Sequence, residues 1–246
     1  MSDGIVVRKC HGIEEFQRCV DLQKEIWGEA DIEVEPATLF VVASETGGQV
    51  LGAFDGRRMV GYTLAVVGFV QGTVFLHSHM TGVLAEYRNR SVGRALKLFQ
   101  RDEALGRGIR LVVWTFDPLE TRNAHFNLNR LGAFSRKYLP NLYGLTTSPL
   151  HRGLATDRLW AEWQLDSPRV VAAIAGVANE PRDAPARIEL PAELDAWQVS
   201  DVATVAQVQS RIRDQFTNWF ARGYAAIGVQ KTPSRTAYLL APWSDF

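Results

Sequence analysis

The chain has 246 residues, 46% hydrophobic and 22% charged, enough for one large domain or two modest ones with an ordinary globular interior. Its 27 basic side chains balance 27 acidic ones, so general polyanion binding has no support and no nucleic-acid partner is expected. Two cysteines, Cys10 and Cys19, make neither a C-x-x-C metal pair nor a disulfide framework; reduced thiols and no metal site are expected.

The opening stretch MSDGIVVRKC lacks the apolar core of a signal peptide. The longest apolar run, VVAAIAGVA at 170–178, is far short of the ~20 residues that span a bilayer. A cytoplasmic protein without a membrane partner is the expectation. IVVRKC (5–10) reads as a first strand, and Ile13, Phe16, Val20 and Ile26 or Trp27 then share one helical face. A loop containing Pro36 leads into the apolar run LFVVA at 39–43. Asp55-Gly56 and Gln71-Gly72 each separate two β-rich runs, so 49–54, 58–69 and 73–85 are expected to form an antiparallel meander.

Helical spacing takes over after Ser91. Val92, Ala95, Leu96 and Phe99 keep one apolar face, with Arg94, Lys97, Arg101 and Asp102 expected outward and Gly106 and Gly108 closing the helix. IRLVVWTF (109–116) is a near-continuous apolar run, the mark of a strand buried on both sides, and Pro118 breaks it. TRNAHFNLNRLGAF suits a short helix closed by Gly132, and RLWAEWQL (158–165) another strand. Pro168, Pro181, Pro185 and Pro191 among alanines mark 167–191 as a connecting segment. Residues 201–223 form an amphipathic helical pattern, and YAAIGV and RTAYLLA read as a last pair of strands.

The chemistry concentrates at VLAEYRNRSVGRAL (83–96), where a strand end meets a basic turn and the first turns of a helix. The first N–H groups of a helix have no internal partner and the dipole makes that end slightly positive, so such a junction holds phosphate oxygens, and Arg88, Arg90 and Arg94 strengthen the pull. Capping alone also explains a serine there. A Walker loop, GxxxxGK[ST], is absent, and so is the dinucleotide fingerprint GxGxxG.

In this context the chain resembles the GNAT family of acyl-CoA-dependent N-acyltransferases. Their acyl-CoA motif, Q/R-x-x-G-x-G/A after the fourth strand, is met by YRNRSVGRAL with Arg88 first, Ser91 in the first glycine place and Gly93 in the second. The family's later short helix ending in L-G-F has its counterpart in TRNAHFNLNRLGA (121–133). The resemblance covers residues 1–166 and implies a mixed α/β fold with a mostly antiparallel central sheet flanked by helices. The connector 167–191 and a helix with a strand pair at 192–246 lie outside it, as a smaller α/β extension.

The resemblance implies acetyl-CoA or another acyl-CoA as co-substrate. Its pyrophosphate would rest on main-chain N–H groups from Asn89 through Arg94, taking in Arg90, Ser91, Val92 and Gly93, and its pantetheine arm on the strand end at Val83 and Leu84. Val83 would supply an oxyanion donor. A base is often placed on the fourth strand about eleven positions before the Q/R, here His77, with His79 on the same face. Histidines satisfied within the sheet are the alternative. The family's thiolate acid is a tyrosine four residues before the helix-ending glycine, a place held here by Leu128, which leaves Tyr143 or Tyr138 to offer a hydroxyl.

Asp117, Glu120 and Asn123, beyond the buried strand, are candidates for substrate contacts. His151, Arg152, Asp157 and Arg158 cluster in HRGLATDRLW, where Arg152 or Arg158 suits a carboxylate, whether the acceptor's or a succinyl donor's. Arg211, Arg213 and Arg222 read more simply as a solvated helix face. The expected acceptor is a small-molecule amine, an amino acid by preference. A homodimer built through the extension stays open, and a catalytically silent acyl-CoA sensor is the competing class.

Overall fold

The structure, a computed structural model, describes residues 4–28, 34–144, 153–177, 184–194, 197, 200–232 and 235–245. The chain divides into two units at Val113/Trp114.

The first unit opens with β1 (Ile5–Lys9), α1 (Gly12–Trp27) and α2 (Ala37–Glu45). The meander follows as β2 (Gln49–Asp55), β3 (Arg58–Val70) and β4 (Thr73–Val83), then α3 (Val92–Gly106) and β5 (Leu111–Phe116), whose last three residues pass into the second unit. β1 to β4 pair in sequence order, all antiparallel. β4 and β5 are parallel, with Leu76 opposite Val112 and His77 opposite Val113.

Helix α1 buries Phe16, Cys19, Val20 and Leu22 and ends on Gly28, left-handed at φ 66°, whose N–H returns to the Lys24 carbonyl. The run at 39–43 is rich in β-branched residues but forms the body of α2, where Phe40 and Ala43 are buried. A short apolar run carries no period of its own, and tertiary packing decides its form. With Leu51, Val60, Tyr62, Leu64 and Leu96 these side chains make one core. Both cysteines are buried in it as free thiols.

Lys97 departs from the amphipathic reading: it is 5% exposed, not outward. Its ammonium donates to Ser78 Oγ on β4 at 2.7 Å and to Gln100 Oε1 at 3.0 Å. From Gln100 the polar chain continues to Gln49 at 3.1 Å and on to Glu103, where Lys9 (2.6 Å) and Arg107 (2.9 Å) meet the carboxylate. Buried polar groups are tolerated when they are hydrogen-bonded in this way. Burial still disfavours the charge and lowers Lys97 to about 7.

The second unit holds the end of β5, then α4 (Thr121–His125), which widens into a π-turn over Phe126–Arg130, and β6 (Phe134–Leu139). β7 (Arg158–Gln164), α5 (Pro168–Ile174), β8 (Ala186–Leu190), α6 (Val202–Ala221), β9 (Tyr224–Thr232) and β10 (Arg235–Pro242) complete it. Its strands run in the order β7-β6-β9-β10-β8, every neighbouring pair antiparallel. The stretch 167–191, read as a connector, contains α5 and β8. Pro168 stands at the first turn of α5, behind a Ser167 cap, where a missing N–H costs nothing. Arg169 then reaches back to the carbonyls of Leu128 (3.1 Å), Gly132 (3.0 Å) and Ile227. Trp163, Tyr238 and Phe216 fill the core; Trp163 Nε1 donates to the Leu131 carbonyl and the Tyr238 hydroxyl to that of Pro118, each at 2.7 Å. Among the described residues no helix is long and apolar enough to cross a membrane.

Candidate active site

In the first unit the site is built on the open edge of β4. Within the first unit, pairing with β5 ends at His77, opposite Val113. The Leu84 N–H is committed to the Val60 carbonyl at 3.0 Å. Backbone groups alternate along a strand, so Val83 turns its N–H and carbonyl to the opposite, open edge. Arg88 reaches that carbonyl with Nε at 3.4 Å and the Ile26 carbonyl at the same distance. Of the two strand-end residues, Val83 therefore has an available amide and Leu84 does not.

The turn that follows is unusual in backbone. Asn89 and Ser91 both lie in the left-handed region, at φ 62° and 60°. Left-handed residues in quick succession tilt neighbouring N–H groups toward one concave spot, the form of an anion nest. Ser91 is the N-cap of α3, yet its side chain makes no capping bond, so the first N–H groups of α3 are not closed off by it. Gly93 needs no special φ; a Cβ there would meet only Val83 Cγ2, at 3.9 Å. Arg90 lies over the Tyr87 ring at 5.1 Å. Arg88, Asn89 and Arg90 are exposed, and Gly93 and Arg94 half-buried, leaving the turn open to a phosphate group, while Val92 is buried beneath it. Main-chain N–H groups and flanking guanidinium charge suit the turn to a phosphate or diphosphate group.

His77 and His79 face each other at 6.1 Å between ring centroids. Burial, and after it the neighbouring His79 and Lys97, lowers His77 to about 4. His79 sits on a β-bulge: Leu64 pairs with Met80 and Ala65 with Ser78, leaving His79 as the extra residue. Its Nε2 lies 3.0 Å from Glu35 Oε1. Sequence reasoning missed Glu35, which is 44 residues away in the chain with no motif to mark it.

In the second unit four side chains converge: Thr115 Oγ1 lies 2.8 Å from the Tyr143 hydroxyl, the Arg158 guanidinium sits 5.4 Å from the Tyr143 ring centre, and Arg158 Nη1 lies 4.0 Å from Asp117 Oδ2. Asp117 accepts from the Leu119 N–H at 2.7 Å, and burial nonetheless raises its carboxyl to about 6. Glu120 and Asn123 are exposed nearby in sequence, and Asn123 accepts from Asn127 at 3.3 Å. His151 and Arg152 lie outside the described residues. Asp157, fully enclosed, accepts from Tyr138 (2.7 Å), Arg213 Nε (2.8 Å) and the Asn141 N–H (2.9 Å). That clasp commits the Tyr138 hydroxyl, whose ionisation burial pushes up, so of the two tyrosines Tyr143 offers the freer one. Leu128 is fully buried and has no proton to give. Among the described residues no group of three or more metal-ligating side chains is assembled.

No protein-family model and no curated protein sequence matches the chain. Solved structures do. A protein from Desulfovibrio desulfuricans described as an acetyltransferase of the GNAT family matches at 15% identity and TM-score 0.53, over 65% of this chain and 99% of its own. The ribosomal-protein-S18-alanine N-acetyltransferase of Escherichia coli matches at 12% identity and TM-score 0.52, over 66% and 95%. A Salmonella typhimurium protein described as an acetyltransferase, solved with its cofactor acetyl-CoA, matches at 16% identity and TM-score 0.53, over 66% and 95%. Over about two thirds of its length, this chain has the fold of the GNAT acetyltransferases.

Proposed function

We propose that the chain is an acyl-CoA-dependent N-acyltransferase in which residues 1–166 carry the reaction. The observation that bears most weight is the turn between β4 and α3, with left-handed Asn89 and Ser91, an uncapped helix start and three arginines at the edge of a GNAT-type fold. Main-chain N–H groups from Asn89 to Arg94 hold the pyrophosphate, and the open amide of Val83 faces the thioester oxygen as charge develops there. A histidine of β4 removes the ammonium proton, and the amine then attacks the carbonyl directly. The acceptor in this reading is a small-molecule amine bearing a carboxylate, an amino acid above all. In the second unit, the Arg158 guanidinium beside Asp117 and Tyr143 is of a kind that suits a carboxylate. The donor is acetyl-CoA or succinyl-CoA, and the setting is the cytoplasm.

Gly93→Asp tests the phosphate turn. The site has room for a Cβ, so the variant folds while setting a carboxylate against the pyrophosphate. Calorimetry with coenzyme A should show binding weakened by about tenfold or more, the effect of 1.4 kcal/mol; unchanged affinity removes the turn from the account. Release of coenzyme A, followed with a thiol reagent across a panel of amines, tests turnover. Binding without turnover favours the second reading, an acyl-CoA sensor, which the buried Leu128 in the family's tyrosine place supports.

A further inference from the structure

The reaction needs a base, β4 carries two histidines, and their surroundings set them apart. His77 is neutral across the physiological range but holds a proton weakly, because burial and the charge of Lys97 both oppose its cation. His79 stands on the bulge, about a third exposed, with Glu35 against one ring nitrogen. Glu35 is held in place from behind. Its N–H donates to Gln23 Oε1 at 2.8 Å and its carbonyl accepts from Gln23 Nε2 at 3.0 Å. Gln23 itself is fully enclosed on α1, and Pro36 follows Glu35 as the N-cap of α2. The carboxylate is therefore carried on backbone clamped between two helices, and only its tip is free to meet the imidazole.

We propose that Glu35 is the positioning residue for His79 as the base of the acyl transfer. Glu35 accepts the Nε2 proton, which fixes the tautomer with an unprotonated Nδ1, and its negative charge supports the imidazolium that forms. Nδ1 takes one proton from the substrate ammonium, leaving a neutral amine. The amine nitrogen bonds to the thioester carbon, the carbon–sulfur bond breaks, and the second amine proton balances the departing thiolate. The proton on His79 returns to water, so one ammonium and one thioester give one amide, one thiol and one proton. The charged or titratable groups facing His79 are Glu35 from the segment before α2 and His77 on β4 itself; α1 offers the uncharged Gln23, and Leu64 and Ala65 of β3 are apolar.

The inference rests on the acyltransferase reading, but its first test does not. Long-range proton–nitrogen spectra of the histidine side chains in the free protein should show His79 protonated at Nε2. Glu35→Gln replaces an acceptor by an amide that can also donate, so the Nδ1–H tautomer should appear beside the Nε2–H one. The Gln23 clamp uses only backbone atoms of Glu35, so this variant keeps the loop. A proton on Nδ1 in the wild type, or an unchanged tautomer in Glu35→Gln, overturns the proposal. In the coenzyme A release assay, kcat should fall at least tenfold with KM little changed, and Glu35→Asp should recover part of the loss. Normal kcat in Glu35→Gln overturns the positioning role. Absence of turnover with every amine, alongside an intact Glu35–His79 signature, refutes the acyltransferase reading and leaves the pairing standing.

Discussion

Ser91 offers a way to separate what a side chain does at the phosphate turn from what the backbone does. It holds φ 60° and ψ 12°, and its hydroxyl makes no capping bond. An L-residue in that region costs roughly 1–2 kcal/mol, and glycine escapes the cost. Against this, glycine loosens the unfolded chain by about 0.4–1 kcal/mol. Ser91→Gly should therefore leave stability within about 1 kcal/mol of wild type and keep coenzyme A affinity, since every N–H stays in place. Ser91→Ala retains the Cβ and deletes only the hydroxyl, so it too should bind normally. Ser91→Val puts a β-branched side chain where its Cβ substituents crowd the carbonyl, raising the cost by roughly another 1–2 kcal/mol. If the turn relaxes to avoid that cost, the nest opens and affinity falls about tenfold, by the conversion of 1.4 kcal/mol per decade. Titration calorimetry with coenzyme A, beside urea unfolding of the three variants, reads both effects. Loss of binding in Ser91→Gly and Ser91→Ala equal to that in Ser91→Val refutes the backbone argument and assigns the contact to the hydroxyl.

Lys97, lowered to about 7 by burial, should leave a trace in the pH dependence of stability. Between pH 7 and 10 the unfolded chain holds a proton that the folded chain has released, so stability rises with pH across that window. Unfolding free energies from urea titrations at pH 7 and 9 should differ by on the order of 2 kcal/mol more in wild type than in Lys97→Met; equal differences would mean that Lys97 is not desolvated in solution. Gly132 is left-handed at φ 76°, and a Cβ there would lie 2.9 Å from Val170 Cα and 3.0 Å from the Arg169 carbonyl oxygen. Gly132→Ala should cost on the order of 2–4 kcal/mol in thermal unfolding, from backbone strain and overpacking together; a cost below 1 kcal/mol would show that α5 yields there.

Periodicity and turn chemistry made much of the architecture legible. The Asp55-Gly56 and Gln71-Gly72 turns mark the meander because their residues admit the φ that hairpins require, and Gly56, Gln71 and Gly72 are left-handed in the structure. The Ser91-x-Gly93 turn and the Leu131-Gly132 ending are local signals of the same kind. Lys97 shows where such reading stops. Val92, Leu96, Lys97, Gln100 and Ala104 form one buried stripe on α3, so geometry alone placed Lys97 at its margin. Its polarity argued for solvent, and only the partners on β4 and β2 explain its burial. Glu35 was illegible for a different reason, since a carboxylate in a loop acquires meaning only from the histidine that folding brings to it. The helix α5 and strand β8 were hidden by prolines, which mark boundaries without saying what they bound.

The reach of Arg169 bears on where this protein can be shortened. Its guanidinium answers carbonyls from the π-turn, from the glycine that closes it and from a distant strand, and each would otherwise be left without a donor at a cost of roughly 1–3 kcal/mol. Excising everything past residue 166, where the likeness in sequence runs out, would delete that one side chain and strip the two carbonyls left behind, those of Leu128 and Gly132. The final eighty residues are not a dispensable appendage, and a trimmed catalytic fragment is expected to be insoluble unless the arginine is kept or replaced.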